Sequence, residues 1–393
     1  MVPSGAQQTL AKSFTFSMYT MMAIVASCFP LYFDAVGYSK VQIGMLYSIG
    51  PMIGLVSNLL WGYLSDKWGT TRKVLLLLLL GQLALAPVAF HTHSFALLYL
   101  CMAFFFFFQQ PMSSINDSQL LLLAAKTGKS YASFRVFGSI GFAAASLGFG
   151  LILARAGHGF TPYLVYASAA CSLLIALALH DARRRGSFKP LELGPMVQIV
   201  RAPKFVRFLS LLLVLSIAHR MNDGFLALYM RQLHASDAIV GYAWTTSAVS
   251  EIPVFFLLSK FGHKFKELAL LTIASAFYVL RFALLSFIAD PAWVVAVQAL
   301  HSVSFGIFLF TALRYFQQAV PDEYRSSGQA IFAVMWSSLA GLLSGVIGGW
   351  VFQHLGGEWL YRIAAVLALI AAFGFYLMHM KEERGEPVPS PRN

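Results

Sequence analysis

Apolar runs of about 18 or more residues recur along the whole chain, each long enough to cross a bilayer as one helix. Stretches this long and this apolar cannot all be hidden in one water-soluble core. Of the 393 residues, 58% are hydrophobic and 11% charged, and the mean hydropathy is +0.70. A soluble domain carries roughly twice that charged fraction. The runs are continuous, whereas the strands of a membrane barrel alternate apolar and polar residues. The pattern predicts an all-α membrane protein with many spans.

Twelve spans are expected, centred near Ala26, Gly54, Leu83, Phe107, Ala144, Ala170, Leu215, Ser247, Phe277, Phe305, Gly341 and Leu369. The longest hydrophilic connector divides them six and six. The expected organisation is a first six-helix bundle over residues 1–180, a linker over 181–204, a second bundle over 205–380 and a tail over 381–393. An even number of spans returns both termini to one face. Lys67, Arg72, Lys73, Lys126, Lys129, the Arg183 cluster, Lys260, Lys264, Lys266, Arg325, Lys381 and Arg384 all fall on that face. The opposite loops hold Lys40, Arg155, Arg231 and Arg362. Basic residues in short loops mark the cytoplasmic side, so both termini are expected in the cytoplasm and the chain in the cell's inner (plasma) membrane.

The same distribution explains the net charge of +12. It follows topology and gives no reason to expect nucleic acid. Cys28, Cys101 and Cys171 lie in apolar segments with no disulfide or metal spacing. The first apolar run is too long for a removable signal peptide and lacks a small-residue cleavage pattern. The tail "KEERGEPVPSPRN" has no apolar face and reads as disordered.

Between the second and third spans stands "GYLSDKWGTTRK", with Gly62, Asp66, Gly69 and Arg72 at its key positions. It resembles the loop signature of the major facilitator superfamily. Glycines there permit a tight turn and close helix approach, and Asp66 is suited to accept charge-assisted hydrogen bonds from a neighbouring helix end or an Arg. Those contacts are expected to lock one conformation and break in the other. "SKFGHKFKE", between the eighth and ninth spans, is a degraded counterpart. Repeated halves around a central cavity are the layout of such transporters.

Arg135 lies inside the fifth span and Asp117 inside the fourth. Counted from the "KTGKS" turn at about 1.5 Å per residue, they sit at similar depth on antiparallel neighbours. Charges within a membrane usually face a partner or a water-filled cavity. The pair therefore either clamps two helices or lines a binding site, with Asn116 and Gln110 as further candidates beside it.

A closer resemblance rests on "FPLYFDAVGYSK", "WGYLSDKWGTTRKVLL", "FRVFGSIGF" and "QALHSVSFGIFLFTALRYF". These segments are similar to the lactose-permease branch, and more so to its nucleoside and phenylpropionate proton-symporter relatives. That resemblance implies substrate-binding roles for Asp117 and Arg135. It sets Phe142 where the permeases carry a sugar-stacking Trp, and Arg281 where they carry an Arg. The departures are informative. Of the permeases' tenth-span Lys, His and proton-carrying Glu, only the His remains, as His301; the other two positions are Gln298 and Ser304. The acidic sugar ligand of the eighth span falls near Trp244. Lactose is therefore not the expected solute, and any proton must ride elsewhere.

Glu251, deeper in the eighth span, is the leading proton carrier. Burial favours the neutral form of a carboxyl and a nearby cation the ionised form, so moving an Arg relative to it would load and unload a proton. His219, Arg220 and Asp223 lie within about one helical turn of the seventh span. Arg220 and Asp223 are spaced to pair, and Asp223 is the reserve carrier. His301 serves either as a titrating group or as a structural hydrogen-bonder. No phosphate-binding loop is present, so ATP is not the expected fuel, and no metal or cofactor is expected. The leading expectation is proton-coupled symport of a small organic solute by a monomer in the lipid bilayer. The alternative is a proton-driven efflux antiporter. The fifth span has Gly138, Gly141, Gly148 and Gly150 but not the Gly-Pro dipeptide of many exporters.

Overall fold

A computed structural model describes residues 5–181, 201–319 and 331–384. Residues 182–200 of the expected linker, with the Arg183 cluster, and Arg325 and the end of the tail lie outside the described residues.

Among the described residues, eleven helices are long and apolar enough to cross a membrane. They are α1 (Gly5–Val36), α2 (Lys40–Trp68), α3 (Thr71–His91), α4 (Phe95–Thr127), α5 (Ser133–Ala156), α6 (His158–Ala178), α7 (Pro203–Gln232), α9 (Glu267–Leu285), α10 (Pro291–Phe316), α11 (Ile331–Leu355) and α12 (Gly357–Glu383). The remaining helix of spanning length, α8 (Asp237–Phe261), is more polar because it carries Thr245, Thr246, Ser247, Ser250 and Glu251 in succession. Its polarity marks it as a cavity helix. Large apolar side chains such as Leu174 (68% exposed) and Phe373 (61% exposed) point outward, as a lipid-facing surface requires.

The chain folds as two six-helix halves. α1 and α7, the first helix of each, are the most enclosed, with 72% and 56% of their apolar windows buried. Within the first half α1 packs on α5 and α6, and α3 on α4 and α6; within the second, α7 packs on α11 and α12, and α9 on α12. The halves meet mainly through α2 with α11 and α5 with α8.

Those two seams are glycine-lined. A Cβ on Gly44 would stand 2.2 Å from the Gly345 carbonyl oxygen, and one on Gly241 would stand 2.4 Å from that of Ser146. Only glycine lets the backbones approach so closely. Both seams lie toward the face opposite the termini. Polar bridges reinforce them there: Lys40 N donates to Gln353 Oε1 at 2.8 Å, and His158 Nε2 lies 3.6 Å from Asp237 Oδ1. The halves are thus joined on the face opposite the termini.

The signature loop adopts a helix-capping turn. Gly69 ends α2 with φ 63° and donates to the carbonyls of Asp66 and Ser65, and Thr70 caps α3 by accepting from Lys73 N. Arg72 is tied to the end of α6: its backbone N–H donates to Asp181 Oδ1 at 3.2 Å and its guanidinium to the Leu177 carbonyl. One expectation needs correction for this conformation. A Cβ on Gly62 would meet nothing within 4 Å, so no helix approaches closely there. The Arg72 bonds lie within one half, so they brace that half and do not bridge the two.

Candidate functional site

A cavity of about 460 Å³ lies between the halves, within the range of small-molecule sites. Three π-helical turns border it among the described residues. Ile24–Cys28 in α1 presents Val25 and Ala26, Ser302–Gly306 in α10 presents Phe305, and Val334–Leu339 in α11 presents Ser337. Such turns widen a helix locally and recur at functional sites. α4 breaks between Gln109 and Pro111, and Gln109 and Gln110 both face the cavity.

On the first-half wall stands Arg135. Its Nε lies 3.7 Å from Asp117 Oδ1, and its guanidinium carbon lies 4.3 Å from the Tyr19 ring centroid. The two side chains of the ion pair are about one-third exposed, 32% and 33%. A cation held over an aromatic face with an acid beside it is stabilised without being sequestered. Arg135 itself lines the cavity. Phe142 lines the wall as well and meets Trp244 of α8 edge-on, with ring centroids 6.0 Å apart.

The second-half wall is a connected polar chain. Arg281, wholly buried, donates from Nη1 to His301 Nδ1 at 2.9 Å and from Nε to Gln298 Oε1 at 3.2 Å. His301 Nε2 lies 2.8 Å from Glu251 Oε1. A guanidinium has donors only, so Nδ1 of His301 must accept, and the ring proton must sit on Nε2 and point at Glu251. Beside this chain, His219 Nε2 is 3.2 Å from Asp223 Oδ2, Arg220 Nη1 is 3.6 Å from the same oxygen, and Tyr278 Oη is 3.1 Å from His219 Nδ1. The His219 ring stacks on Phe305 at 4.6 Å and on Trp336 at 5.1 Å, and Arg220 lies over Trp336 at 5.3 Å.

The structure brings together Arg135, Phe142, Gln110, His219, Arg220, Asp223, Glu251 and His301 on one cavity. Three expected substrate contacts need correction. Asp117 pairs with Arg135 but is not among the residues that line the cavity. Asn116 is 1% exposed and donates to Thr15 Oγ1 at 3.2 Å, so it joins α4 to α1 and does not face the cavity. Arg281 lies behind His301 and acts on the cavity only through that ring. Ser304 Oγ turns back to the Leu300 carbonyl at 2.9 Å, so the position holds no group in reach of Glu251. Sequence reasoning missed Tyr19 and Trp336, whose aromatic character is lost among the many apolar residues of their helices.

Two six-helix halves around a central cavity have the layout of a secondary transporter of the major facilitator type. The chain belongs to the MFS_1 like family, which it matches over residues 9–363. Uncharacterized transporter YwbF of Bacillus subtilis is 25% identical over 351 residues, covering 88% of this chain and 86% of that protein. The probable 3-phenylpropionic acid transporter of Escherichia coli is 23% identical over 359 residues, covering 91% and 94%. Among solved structures, nucleoside transporter NupG superposes with a TM-score of 0.84 at 18% identity, covering 95% of this chain and 99% of that one. The protein is a multi-pass membrane transporter of small organic solutes.

Proposed function

We propose that the chain is a proton-coupled symporter that imports its solute by alternating access. The observation that carries this reading is the Glu251–His301–Arg281 chain on the cavity wall. Arg281 donates to Nδ1 of His301, and Nε2 of the same ring faces Glu251. Glu251, the carboxyl at the cavity end of that chain, is assigned the transported proton. Protonating it changes the charge of the cavity wall, and solute binding feels that change. Arg135 with Asp117 binds the solute from the first half, Phe142 supplies an apolar contact, and Gln110 a polar one. Asp223, held by His219 and Arg220, is the reserve carrier. The basic loops orient the terminal face to the cytoplasm of the inner membrane, so the described conformation is inward-facing. One chain encloses the whole cavity and works as a monomer. A cycle then consists of the two halves rocking about the site, with the locking loop around Asp66 closing the cytoplasmic side in the other state.

The test is Glu251→Gln in proteoliposomes. The variant is expected to keep solute counterflow and lose uphill accumulation driven by a pH gradient. Retained accumulation would remove Glu251 from the role and send the search to Asp223.

A further inference from the structure

Arg135 is the cation of the first-half wall, and its ion pair is not what fixes its orientation. Its Nε lies 3.7 Å from Asp117 Oδ1, beyond hydrogen-bond reach, and that oxygen is buried with no hydrogen-bond partner among the described residues. An ion pair without a hydrogen bond attracts the guanidinium but does not set its plane. The contacts on its other side do. The guanidinium carbon lies 4.3 Å from the Tyr19 ring centroid, well inside the range of a cation–π contact. Tyr19 is 7% exposed, so its ring is a fixed platform. Gly138, one turn beyond Arg135 on α5, gives the guanidinium its room. A Cβ there would stand 2.8 Å from Arg135 Nη1 and 2.8 Å from Tyr19 Cδ2. Gly141, a turn further, lets α1 come in to that distance, since a Cβ on it would stand 2.2 Å from the Phe16 carbonyl oxygen. Phe16 itself lies one turn before Tyr19 on α1. The segment "FRVFGSIGF" thus carries in succession a cation, a notch beside it and a point of close helix approach.

We infer that Tyr19 and Gly138 are positioning residues for solute binding: together they form a slot that holds the Arg135 guanidinium flat on the cavity wall. The inference rests on the reading of Arg135 as a solute-binding group. Such a slot suits a planar guanidinium and not a compact ammonium. It also ties the binding group to two helices. Arg135 stands on α5, which meets α8 of the second half, and the platform under it stands on α1, just before the π-helical turn at Ile24–Cys28. The close approach at Gly141 keeps ring and guanidinium in register. A shift of α1 against α5 takes the ring from under the cation, so binding at Arg135 differs between conformations that differ in this contact.

The experiment uses the purified full-length protein and two readouts. The first needs no solute: thermal unfolding of Tyr19→Leu, of Arg135→Gln and of the double variant. Each single change removes the same contact, so the double variant is expected to lose less than the two singles added together. Additive losses would overturn the slot. The second readout is binding of uridine, maltose and 3-phenylpropanoate. For whichever binds, Tyr19→Leu and Gly138→Ala are each expected to weaken binding about tenfold or more. Tyr19→Phe, which keeps the ring, is expected to restore what Tyr19→Leu loses. Gly138→Ala adds one methyl group, and its unfolding midpoint separates a displaced guanidinium from a folding defect. A packing role alone would lower the midpoint and spare the affinity. Native affinity in both Tyr19→Leu and Gly138→Ala, beside lost affinity in Arg135→Gln, would therefore overturn the positioning role. Coupling between Tyr19 and Arg135 with native affinity in Arg135→Gln would leave the slot standing and remove the binding role on which it rests.

Discussion

His301 shows how one buried cation fixes the chemistry of a neighbour. The Arg281 guanidinium at 2.9 Å from Nδ1 leaves a single tautomer, and that tautomer donates to Glu251. His301→Gln keeps an acceptor at one end and a donor at the other, so it is expected to retain part of proton-driven uptake. His301→Leu strips both bonds and leaves a charged group short of a partner at each end, a loss on the order of 1–3 kcal/mol for each unmet group. It is expected to abolish accumulation and lower the unfolding midpoint; a Leu variant that transports normally would show that the ring is no relay. For Arg135 and Asp117 the informative variant is the double one. Removing either residue alone leaves the other charge without its partner, and some loss of stability follows. Asp117→Ala/Arg135→Ala is expected to recover stability without recovering transport. Restored transport would reduce the pair to a clamp between α4 and α5.

Depth was legible at this scale, and rotation was not. Counting residues from a turn placed Arg135 opposite Asp117, and the structure pairs them at 3.7 Å. Asn116 is adjacent in sequence yet points elsewhere, because successive residues on an α-helix are turned by about 100°. The same ambiguity hid the fact that Arg281 backs onto His301. It also hid Gly62 facing open space in this conformation, where a close contact was expected.

Among the helices, runs of apolar residues fixed where the spans lie, and α8 was found despite its polarity because its flanks are apolar. The π-helical turns of α1, α10 and α11 had no visible signature, since an extra residue in a turn is a response to packing and not to a local motif. The glycine seams are the elements that set conformation. Gly44→Leu would place side-chain atoms where the Gly345 carbonyl now lies, 2.2 Å from the first added carbon. The variant is expected to part α2 from α11 and favour the state open on the opposite face. Spin labels at the exposed positions His93 and Trp359, one in each half, should then report longer distances. Unchanged distances would mean that the seam yields without moving the halves. Across the other seam, His158 and Asp237 pair at 3.6 Å, and both are nearly buried. His158→Ala is expected to shift the same label distances in the same direction but less far, since one polar contact is lost and the glycine contact kept.

For the whole molecule, the six-plus-six layout and the cavity between the halves followed from span counting and the loop signature, because the bilayer leaves so few ways to satisfy a backbone. What joins across the cavity, Phe142 on Trp244, and what links its second-half wall, Glu251 on the His301 ring, came only from the folded chain. The most direct test of proton coupling needs no imposed gradient. Proteoliposomes are loaded with weak buffer, and whichever of uridine, maltose or 3-phenylpropanoate the protein binds is added outside while external pH is followed. Protein-free vesicles correct for acid that crosses the lipid unaided. Solute entry is expected to draw protons in with it, so the medium should turn transiently alkaline with the native protein and stay flat with Glu251→Gln. Solute entry through the native protein with no proton movement would contradict symport outright.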